Sequence, residues 1–184
     1  MTVLVHASCL SHSPNDGIGF ESPVSVLPAE SGAREIVKPE KDLNARFSFD
    51  NFVVGSSNRF AYAAAMAVAD SPAKAYNPLF IYGPVGLGKT HLVHAIGIEI
   101  KNNFPNKTVL YVASEKFTQQ FIDATRNNNI NDFIHFYQMI DVLIIDDVQF
   151  FAGKEKTQDV FFHVFNHLHQ SGKQLILTSD KAPV

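Results

Sequence analysis

The sequence predicts an α/β fold built on a parallel sheet with helices on both faces. Three observations support this prediction. First, short segments rich in apolar residues alternate with longer helical patterns. Second, the segment at residues 142–145 contains no polar residue, and third, the segment at residues 79–82 leads directly into a glycine-rich loop. Continuous apolar strands are typical of parallel sheets, because both of their faces are covered. The alternation of strands with helices indicates crossover connections rather than hairpins.

Composition and charge limit the classes of function. The chain of 184 residues is long enough for one domain and has a formal net charge of −3. A nearly neutral chain gives no support to an extended nucleic-acid surface, although a local basic patch is compatible with it. No apolar run approaches the ~18 residues that a transmembrane helix needs. The single cysteine, Cys9, has no partner for an internal disulfide, which favours a reducing, cytoplasmic setting.

Residues 1–42 differ from the rest of the chain. They contain four of the nine prolines and one aromatic residue, Phe20, and they show no sustained hydrophobic period. Such a segment has too little apolar surface to form a core of its own. We predict a disordered tail or linker over residues 1–42 and an ordered domain over residues 43–184.

The ordered domain begins with a helix that leads to the first predicted strand. Ser56 or Ser57 can cap this helix through a side-chain oxygen, and Pro72 ends it. The apolar run at residues 79–82 is the first predicted strand, and a helix follows it. Together with a second strand at residues 108–112, these two elements form a β-α-β unit.

The second half of the domain continues the alternation. Ser114 can cap a helix that the asparagines at 127–129 interrupt, and a further helix follows. Residues 142–145 form a third strand, which is too continuously apolar to be exposed on either face. A long helix over residues 154–170 precedes a fourth strand at residues 175–177.

The glycine-rich loop carries the clearest chemical signal. Residues 83–90 read Gly-Pro-Val-Gly-Leu-Gly-Lys-Thr and match the phosphate-loop pattern G-x-x-x-x-G-K-[ST]. Glycines let backbone N–H groups converge on a phosphate, and the N-terminus of the following helix adds its dipole. Lys89 would reach the β- and γ-phosphates of ATP, and the Thr90 hydroxyl would ligate Mg²⁺. The flanking strand and helix favour this interpretation over an ordinary glycine-rich turn.

Acidic residues end two of the predicted strands. Asp146 would hold Mg²⁺ through water, and Asp147 would orient or deprotonate the attacking water. The alternative, a pair of solvated acids at a strand end, is less favoured because a phosphate loop lies upstream. Asp180 would lie beside the γ-phosphate only if the fourth strand separates the first strand from the third. Chain order alone leaves this open, and a turn or helix cap is an equal alternative.

Five segments of the chain together resemble the bacterial DnaA replication initiator family. They read FDNFVVG at residues 49–55, AYNPLF at 75–80, GPVGLGKTH at 83–91, IDDVQFF at 145–151 and LTSD at 177–180. The spacing between these motifs is nearly the spacing of the family. The resemblance covers residues 43–184 and concerns the AAA+ ATPase domain of the family.

The resemblance implies a P-loop AAA+ fold, a three-layer α-β-α sandwich around a parallel sheet. The fourth strand would lie between the first and the third, which gives Asp180 the sensor-1 role beside Lys89 and Asp147 in catalysis. Residues 83–90 would be the Walker A motif, and Asp146 and Asp147 the Walker B motif. The nucleotide contacts that it implies are Val53, Val54, Gly55, Gly83, Gly86, Leu87, Gly88, Lys89, Thr90 and His91.

The resemblance also implies macromolecular partners. The two helices between the second and third strands would be the insertion with which initiators grip single-stranded DNA. Ile122, Lys154, Lys156 and Thr157 match contact positions for that strand. On the residues alone, the region around Lys154 reads as an ordinary solvated helix start. The second implied partner is another copy of the protein, in an ATP-dependent filament that opens origin DNA.

Two other functions are compatible with these motifs. One is a helicase loader or a regulatory initiator homologue, and the other is a catalytically silent interaction module. The chain ends after the fourth strand, so the family's fifth strand, arginine finger, helical lid and helix-turn-helix domain have no counterpart in it. We therefore expect weak ATP binding, poor hydrolysis, no binding of duplex origin sites and an unpaired edge along residues 79–82.

Overall fold

The computed structural model describes residues 2–5 and 43–182. Within these ranges five strands form a single sheet in the order β1-β2-β5-β4-β3. The strands are β1 (Thr2–Val5), β2 (Leu79–Tyr82), β3 (Val109–Ala113), β4 (Val142–Asp146) and β5 (Gln174–Ser179). Strands β2 to β5 are mutually parallel, as the sequence predicts.

Helices alternate with the parallel strands along the chain. They are α1 (Arg59–Asp70), α2 (Lys89–Asn103), α3 (Ser114–Arg126), α4 (Ile130–Gln138) and α5 (Glu155–Gln170), with a short 3-10 helix at Val148–Phe151. This order confirms the predicted α/β alternation. In the described part of the chain, no helix has both the length and the apolar character needed to cross a membrane.

Strand β5 lies between β2 and β4, although it comes last in the chain. Leu79 of β2 pairs with Ile176 of β5, and Ile144 of β4 pairs with the same Ile176 from the other side. The strand order that the resemblance implied is therefore confirmed. Because parallel strands share their carboxyl edge, the residues that follow β2, β4 and β5 meet at one end of the sheet.

Strand β1 corrects two predictions. It pairs antiparallel with β2, with Thr2 opposite Tyr82 and Val5 opposite Leu79. The expectation that residues 79–82 form an unpaired edge is therefore wrong, because β1 supplies backbone partners along that side. The predicted tail over residues 1–42 also fails at Thr2–Val5. Residues 6–42 lie outside the described residues, and for them the tail stays a prediction.

Strand β4 separates two apolar cores. Ile144 packs into the core that contains residues of α1 and α2, whereas Leu143 and Ile145 pack into the core with α3, α4 and α5. Successive side chains of a strand point to opposite faces, so neighbouring residues stabilise different layers. All five residues of β4 are buried, which confirms the predicted burial of residues 142–145 and adds Asp146. Full burial of a side chain of this size contributes about 1.5–3 kcal/mol.

The predicted helix caps at Ser56, Ser57 and Ser114 are wrong. Asn58 precedes α1, and its side chain accepts a hydrogen bond from Gly55 N–H at 2.8 Å and donates one to the Val53 carbonyl at 3.0 Å. Ser114 is the first residue of α3, and its hydroxyl donates to the Asp147 carbonyl at 2.7 Å. Asn58 thus fixes the loop before α1, and Ser114 fixes the residue that follows β4.

Candidate functional site

The loop at residues 83–88 joins β2 to α2 and depends on glycine. Gly88 has a φ of 84°, in the left-handed region that L side chains rarely adopt. A Cβ added to Gly88 would lie 3.0 Å from the Phe52 ring, so a larger residue would also force Phe52 to shift. Gly86 has a φ of 87° with open space around it, so only its backbone conformation favours glycine.

Lys89, the first residue of α2, is buried and turned back under the loop. Its ammonium donates to the Gly83 carbonyl at 2.8 Å and to the Pro84 carbonyl at 3.2 Å. It also forms an ion pair with Asp180, at 2.6 Å between Nζ and Oδ1. This ion pair connects the loop to the residue that follows β5. Chain order alone had not shown whether Asp180 lies beside the loop, and the structure places it there.

Asp146 ends β4 as a buried carboxylate that accepts hydrogen bonds from three hydroxyls. Thr90 Oγ1 and Tyr111 OH donate to Oδ2, at 2.8 Å and 2.9 Å, and Thr178 donates to Oδ1. The Thr90 hydroxyl and the Asp146 carboxylate are thus in direct contact, as a shared metal site requires. Oxygen donors of this kind suit Mg²⁺, so these two residues fit the predicted ion.

The protein offers Mg²⁺ only a partial coordination shell. Among residues 2–5 and 43–182, no three or more His, Cys, Asp or Glu side chains are grouped to hold a metal. Mg²⁺ usually keeps several waters and takes one or two carboxylates together with phosphate oxygens. Thr90 and Asp146, with one hydroxyl and one carboxylate, agree with this preference of Mg²⁺ for few protein ligands.

Asp147 has an unusual backbone conformation for a residue other than glycine. Its φ of 59° and ψ of 49° are left-handed, which costs roughly 1–2 kcal/mol, and its N–H donates to Thr178 Oγ1 at 2.9 Å. Burial raises the pKa of the Asp147 carboxyl, and the charges of Asp146 and Asp180 add to this, while a hydrogen bond from Gln149 opposes it. A raised pKa suits a carboxylate that accepts a proton.

A cavity of about 370 Å³ collects most of the predicted side chains. Its lining residues are Phe47, Val85, Gly86, Gly88, Lys89, Thr90, His91, Asp147 and Asp180. Val53 and Val54 do not line it and are 84% and 44% exposed. The nucleotide contacts predicted for Val53, Val54 and Gly55 therefore stay predictions, as do those of Gly83 and Leu87.

The segment before α1 packs on the start of α2. Asn44 N–H donates to His94 Nδ1 at 3.2 Å, and His91 Nε2 lies 2.8 Å from the Ser48 carbonyl. The His94 ring contacts Tyr111, with 4.1 Å between ring centroids. Burial lowers the pKa of His94, Asp146 opposes this, and His91 lowers it further. A neutral His94 therefore supports the tyrosine that donates to Asp146.

Sequence reasoning missed Tyr111, Thr178 and Gln149 as parts of the site. Tyr111 was hidden inside an apolar strand, and its only signal was a hydroxyl in a run otherwise made of hydrocarbon side chains. Thr178 was visible only as a polar residue near a strand end. The Gln149 amide contacts both Asp147 and Asp180, and its signal was its place two residues after the acid pair.

The predicted DNA-contact residues lie around a groove between α3, α4 and α5. The groove has a volume of about 780 Å³ and includes Ile122, Lys156 and Thr157 in its lining. Ile122 is 36% exposed, as its predicted outward position requires, whereas Thr157 is only 5% exposed. Lys154 is exposed just before α5 and outside the lining. The structure brings three of the four residues together.

The strand order and the loop at residues 83–88 define a P-loop domain of the AAA+ class. Residues 43–184 match the family model described as the bacterial DnaA ATPase domain. The chain therefore belongs to the bacterial DnaA ATPase domain family, and the resemblance seen in the sequence is confirmed.

Individual relatives agree with this assignment. The chromosomal replication initiator protein DnaA of Flavobacterium psychrophilum is 66% identical over 149 residues, which are 80% of this chain and 31% of that protein. The chain thus spans about a third of the curated relative that it matches. Domain III of the Thermotoga maritima replication initiation protein DnaA matches with a TM-score of 0.74 and 50% identity, over 76% of this chain and 58% of that one. A replication initiator DnaA bound to AMPPCP and single-stranded DNA matches with a TM-score of 0.73 and 43% identity, over 76% of this chain and 43% of that one.

Proposed function

We propose that this chain binds ATP with Mg²⁺ in the cavity between the loop at residues 83–88 and the carboxyl edge of the sheet. The observation that carries the proposal is the convergence of Lys89, Thr90, Asp147 and Asp180 on that cavity. The solved DnaA that carries AMPPCP, an ATP analogue, adds support because 43% of its aligned residues are identical.

The roles of the side chains follow from their contacts. Backbone N–H groups of the loop and the Lys89 ammonium would bind the phosphates, with Lys89 leaving Asp180 at least in part. Thr90 and Asp146 would hold Mg²⁺, which neutralises charge that develops on the phosphates. Asp147, whose pKa is raised by burial, would orient the attacking water. Asp180 would sense the terminal phosphate.

Hydrolysis by this chain alone should be slow. Among the described residues, those that line the cavity include no arginine. An arginine that reaches the transferred phosphate contributes about 10³–10⁵ in rate in other P-loop enzymes. We propose that a neighbouring molecule of the longer initiator supplies such a group, and that ATP-dependent self-assembly and origin opening are activities of that longer protein.

The test is equilibrium binding of a fluorescent ATP analogue in the presence of Mg²⁺. Lys89→Ala should abolish the signal, because it removes the cation at the centre of the loop. Lys101→Ala is the matched control, since Lys101 is an exposed lysine in the last turn of the same helix. Equal signals from the unaltered chain and from Lys89→Ala would refute the nucleotide site.

A second proposed function is binding of single-stranded DNA along the groove between α3, α4 and α5. The groove combines apolar side chains such as Ile122 and Phe121 with the cations Arg126 and Lys156 on its border. Apolar contact with bases and cations near phosphates are the two ingredients of single-strand recognition. The solved DnaA with single-stranded DNA supports the same partner.

The DNA proposal predicts a change in salt dependence. Lys154→Gln and Lys156→Gln should each reduce the slope of log affinity against log salt concentration by about one, as loss of one phosphate contact does. Anisotropy of a labelled oligothymidine measures this slope, and Lys101→Gln serves as the control. An unchanged slope in both variants would exclude these lysines as phosphate contacts.

The alternatives now have less support. Family membership and 66% identity to a DnaA favour an initiator over a helicase loader. The silent interaction module was expected to act through an exposed edge at β2, and β1 pairs with that edge in this structure.

A further inference from the structure

The side chain of Gln149 connects two acids that come from different strands. Its Nε2 atom donates to Asp147 Oδ1 at 3.1 Å and to Asp180 Oδ2 at 3.2 Å. Its Oε1 atom accepts from the Asp180 N–H at 3.1 Å. One neutral amide therefore uses both of its donor hydrogens and its acceptor on this pair of acids.

The charges in this region explain why an amide is suited to the position. Asp147 and Asp180 both line the cavity, and like charges repel at short range. An amide donor shared between two carboxylates offsets that repulsion without adding charge, and hydrogen bonds to ionised groups are stronger than neutral ones. Gln149 thus holds the two carboxyl groups in fixed places beside each other.

The main chain of Asp147 is held independently of Gln149. Thr178 Oγ1 accepts from Asp147 N–H, and Ser114 Oγ donates to Asp147 O at 2.7 Å. Removal of the Gln149 amide should therefore release the two carboxylates while the Asp147 backbone stays in place. The Asp180 N–H loses its acceptor in Gln149→Leu, whereas a carboxylate oxygen can still accept it in Gln149→Glu. This separation makes a positioning role distinguishable from a role in folding.

Gln149 also acts on Lys89 through Asp180. Asp180 contacts Lys89 through Oδ1 and Gln149 through Oδ2, so each oxygen has its own partner. When a phosphate draws the ammonium away, the amide still holds the carboxylate. Without the amide, Asp180 is free to follow Lys89 or to swing towards an anion in the cavity.

We propose that Gln149 is a positioning residue that fixes the Asp147 and Asp180 carboxylates and thereby sets the preference for a nucleoside triphosphate over a diphosphate. The inference rests on the proposed nucleotide site and deepens it. The loop N–H groups serve phosphates common to both nucleotides, whereas the two acids would face the phosphate that only the triphosphate carries. A released carboxylate would repel that phosphate.

The test compares Mg·ATP with Mg·ADP by calorimetric titration of the full chain. Gln149→Leu removes the amide and leaves an apolar side chain one atom shorter, and Gln149→Glu keeps the length but replaces the donors with a third carboxylate. The preference for ATP should fall about tenfold or more in both variants, with ADP affinity changed by less than about twofold, as expected for loss of hydrogen bonds to charged groups. Gln158→Leu is the control, because Gln158 donates to the Phe151 carbonyl of the same 3-10 helix and touches neither acid.

The outcomes separate this inference from the nucleotide site itself. An ATP preference unchanged in both Gln149 variants, or an equal loss of ATP and ADP binding, would overturn the positioning role and leave the site intact. Failure of the unaltered chain to bind either nucleotide would overturn both proposals. If Gln149→Leu does not fold, Gln149→Glu still decides, because the ratio of affinities is measured on one folded preparation.

Discussion

At the scale of single residues, the Thr178 hydroxyl holds two neighbouring residues of the site. It is fully buried on β5, donates to the Asp146 carboxylate and accepts from the Asp147 N–H. One hydroxyl thus holds the Asp146 carboxylate and the Asp147 backbone from the neighbouring strand. A buried polar group that loses its partner costs about 1–3 kcal/mol.

Thr178→Val should therefore destabilise the protein by about 1–3 kcal/mol, since valine keeps the shape and removes the hydroxyl. Urea unfolding followed by circular dichroism measures this change. Thr125→Val, which removes a hydroxyl that donates to the Phe121 carbonyl on an exposed turn of α3, should cost less than about 0.5 kcal/mol. Similar costs for the two variants would contradict the special role of Thr178.

The site could be predicted from sequence where its chemistry is contiguous. Lys89 and Thr90 belong to one loop motif, and Asp146 and Asp147 are adjacent at the end of an apolar strand. Tyr111 could not be assigned in this way, because its contact with Asp146 depends on the register in which Ala113 pairs with Asp146. Such contacts are set by tertiary structure and leave no local pattern.

At the scale of elements, Asp141, which precedes β4, connects the amino end of that strand to the amino ends of β3 and β5. Its carboxylate accepts from Thr108 N–H, just before β3, at 2.8 Å and from Lys173 Nζ, just before β5, at 2.5 Å. Burial acts to raise the pKa of Asp141, but the hydrogen bonds from Lys173 and Thr108, with the charges of Lys173 and Lys107, outweigh it and lower the pKa. The folded state therefore favours the ionised form.

Asp141→Asn should reduce stability in a pH-dependent way. A lowered pKa contributes stability that is present above the unfolded value of about 3.9 and is lost as the pH falls through the folded value. The difference in unfolding free energy between the unaltered chain and Asp141→Asn should have its largest value above pH ~5 and should decrease as the pH falls below ~4. Urea titrations across this range measure it.

The partner variant provides the control for Asp141. Lys173→Met should show the same pH dependence, and the double variant should cost less than the sum of the two single changes. A difference that is constant from neutral to acid pH would show that the ion pair does not contribute.

The helices and strands were predicted well because the hydrophobic periodicity of their residues is strong. The residues at which the helices begin were predicted less well. The helix starts assigned to Ser56, Ser57 and Ser114 failed because each serine had been judged only as a possible cap. In the structure the Ser114 hydroxyl contacts the carbonyl of Asp147, which is distant in sequence. Competition between local capping and tertiary hydrogen bonds is decided by the fold.

At the scale of the whole molecule, β1 closes the side of the sheet that sequence reasoning had left open. It was missed because Thr2–Val5 is a short apolar run in a segment rich in proline, and its partner lies far along the chain. Exposed strand edges promote association between molecules, because their N–H and C=O groups are unpaired.

Val3→Pro should therefore increase self-association, since proline lacks the N–H and disfavours pairing within a strand. Light scattering over a concentration series measures this, and Val3→Thr, which retains the N–H and suits a strand, is the control. Identical behaviour of the two variants would mean that β1 does not protect β2 in solution.

The position of β5 determines when, during synthesis of the chain, the contacts of the site can form. Among the strands of the described residues, it is the central one in the sheet and the last in the chain. At a ribosomal rate of about 5–20 residues per second, the pairs β1-β2 and β3-β4 emerge several seconds apart, and each lacks its inner neighbour until β5 follows. The ion pair of Lys89 with Asp180 and both contacts of Thr178 wait for the same event. The contacts that complete the site therefore form only after β5, the last of the described strands in the chain, has been synthesised.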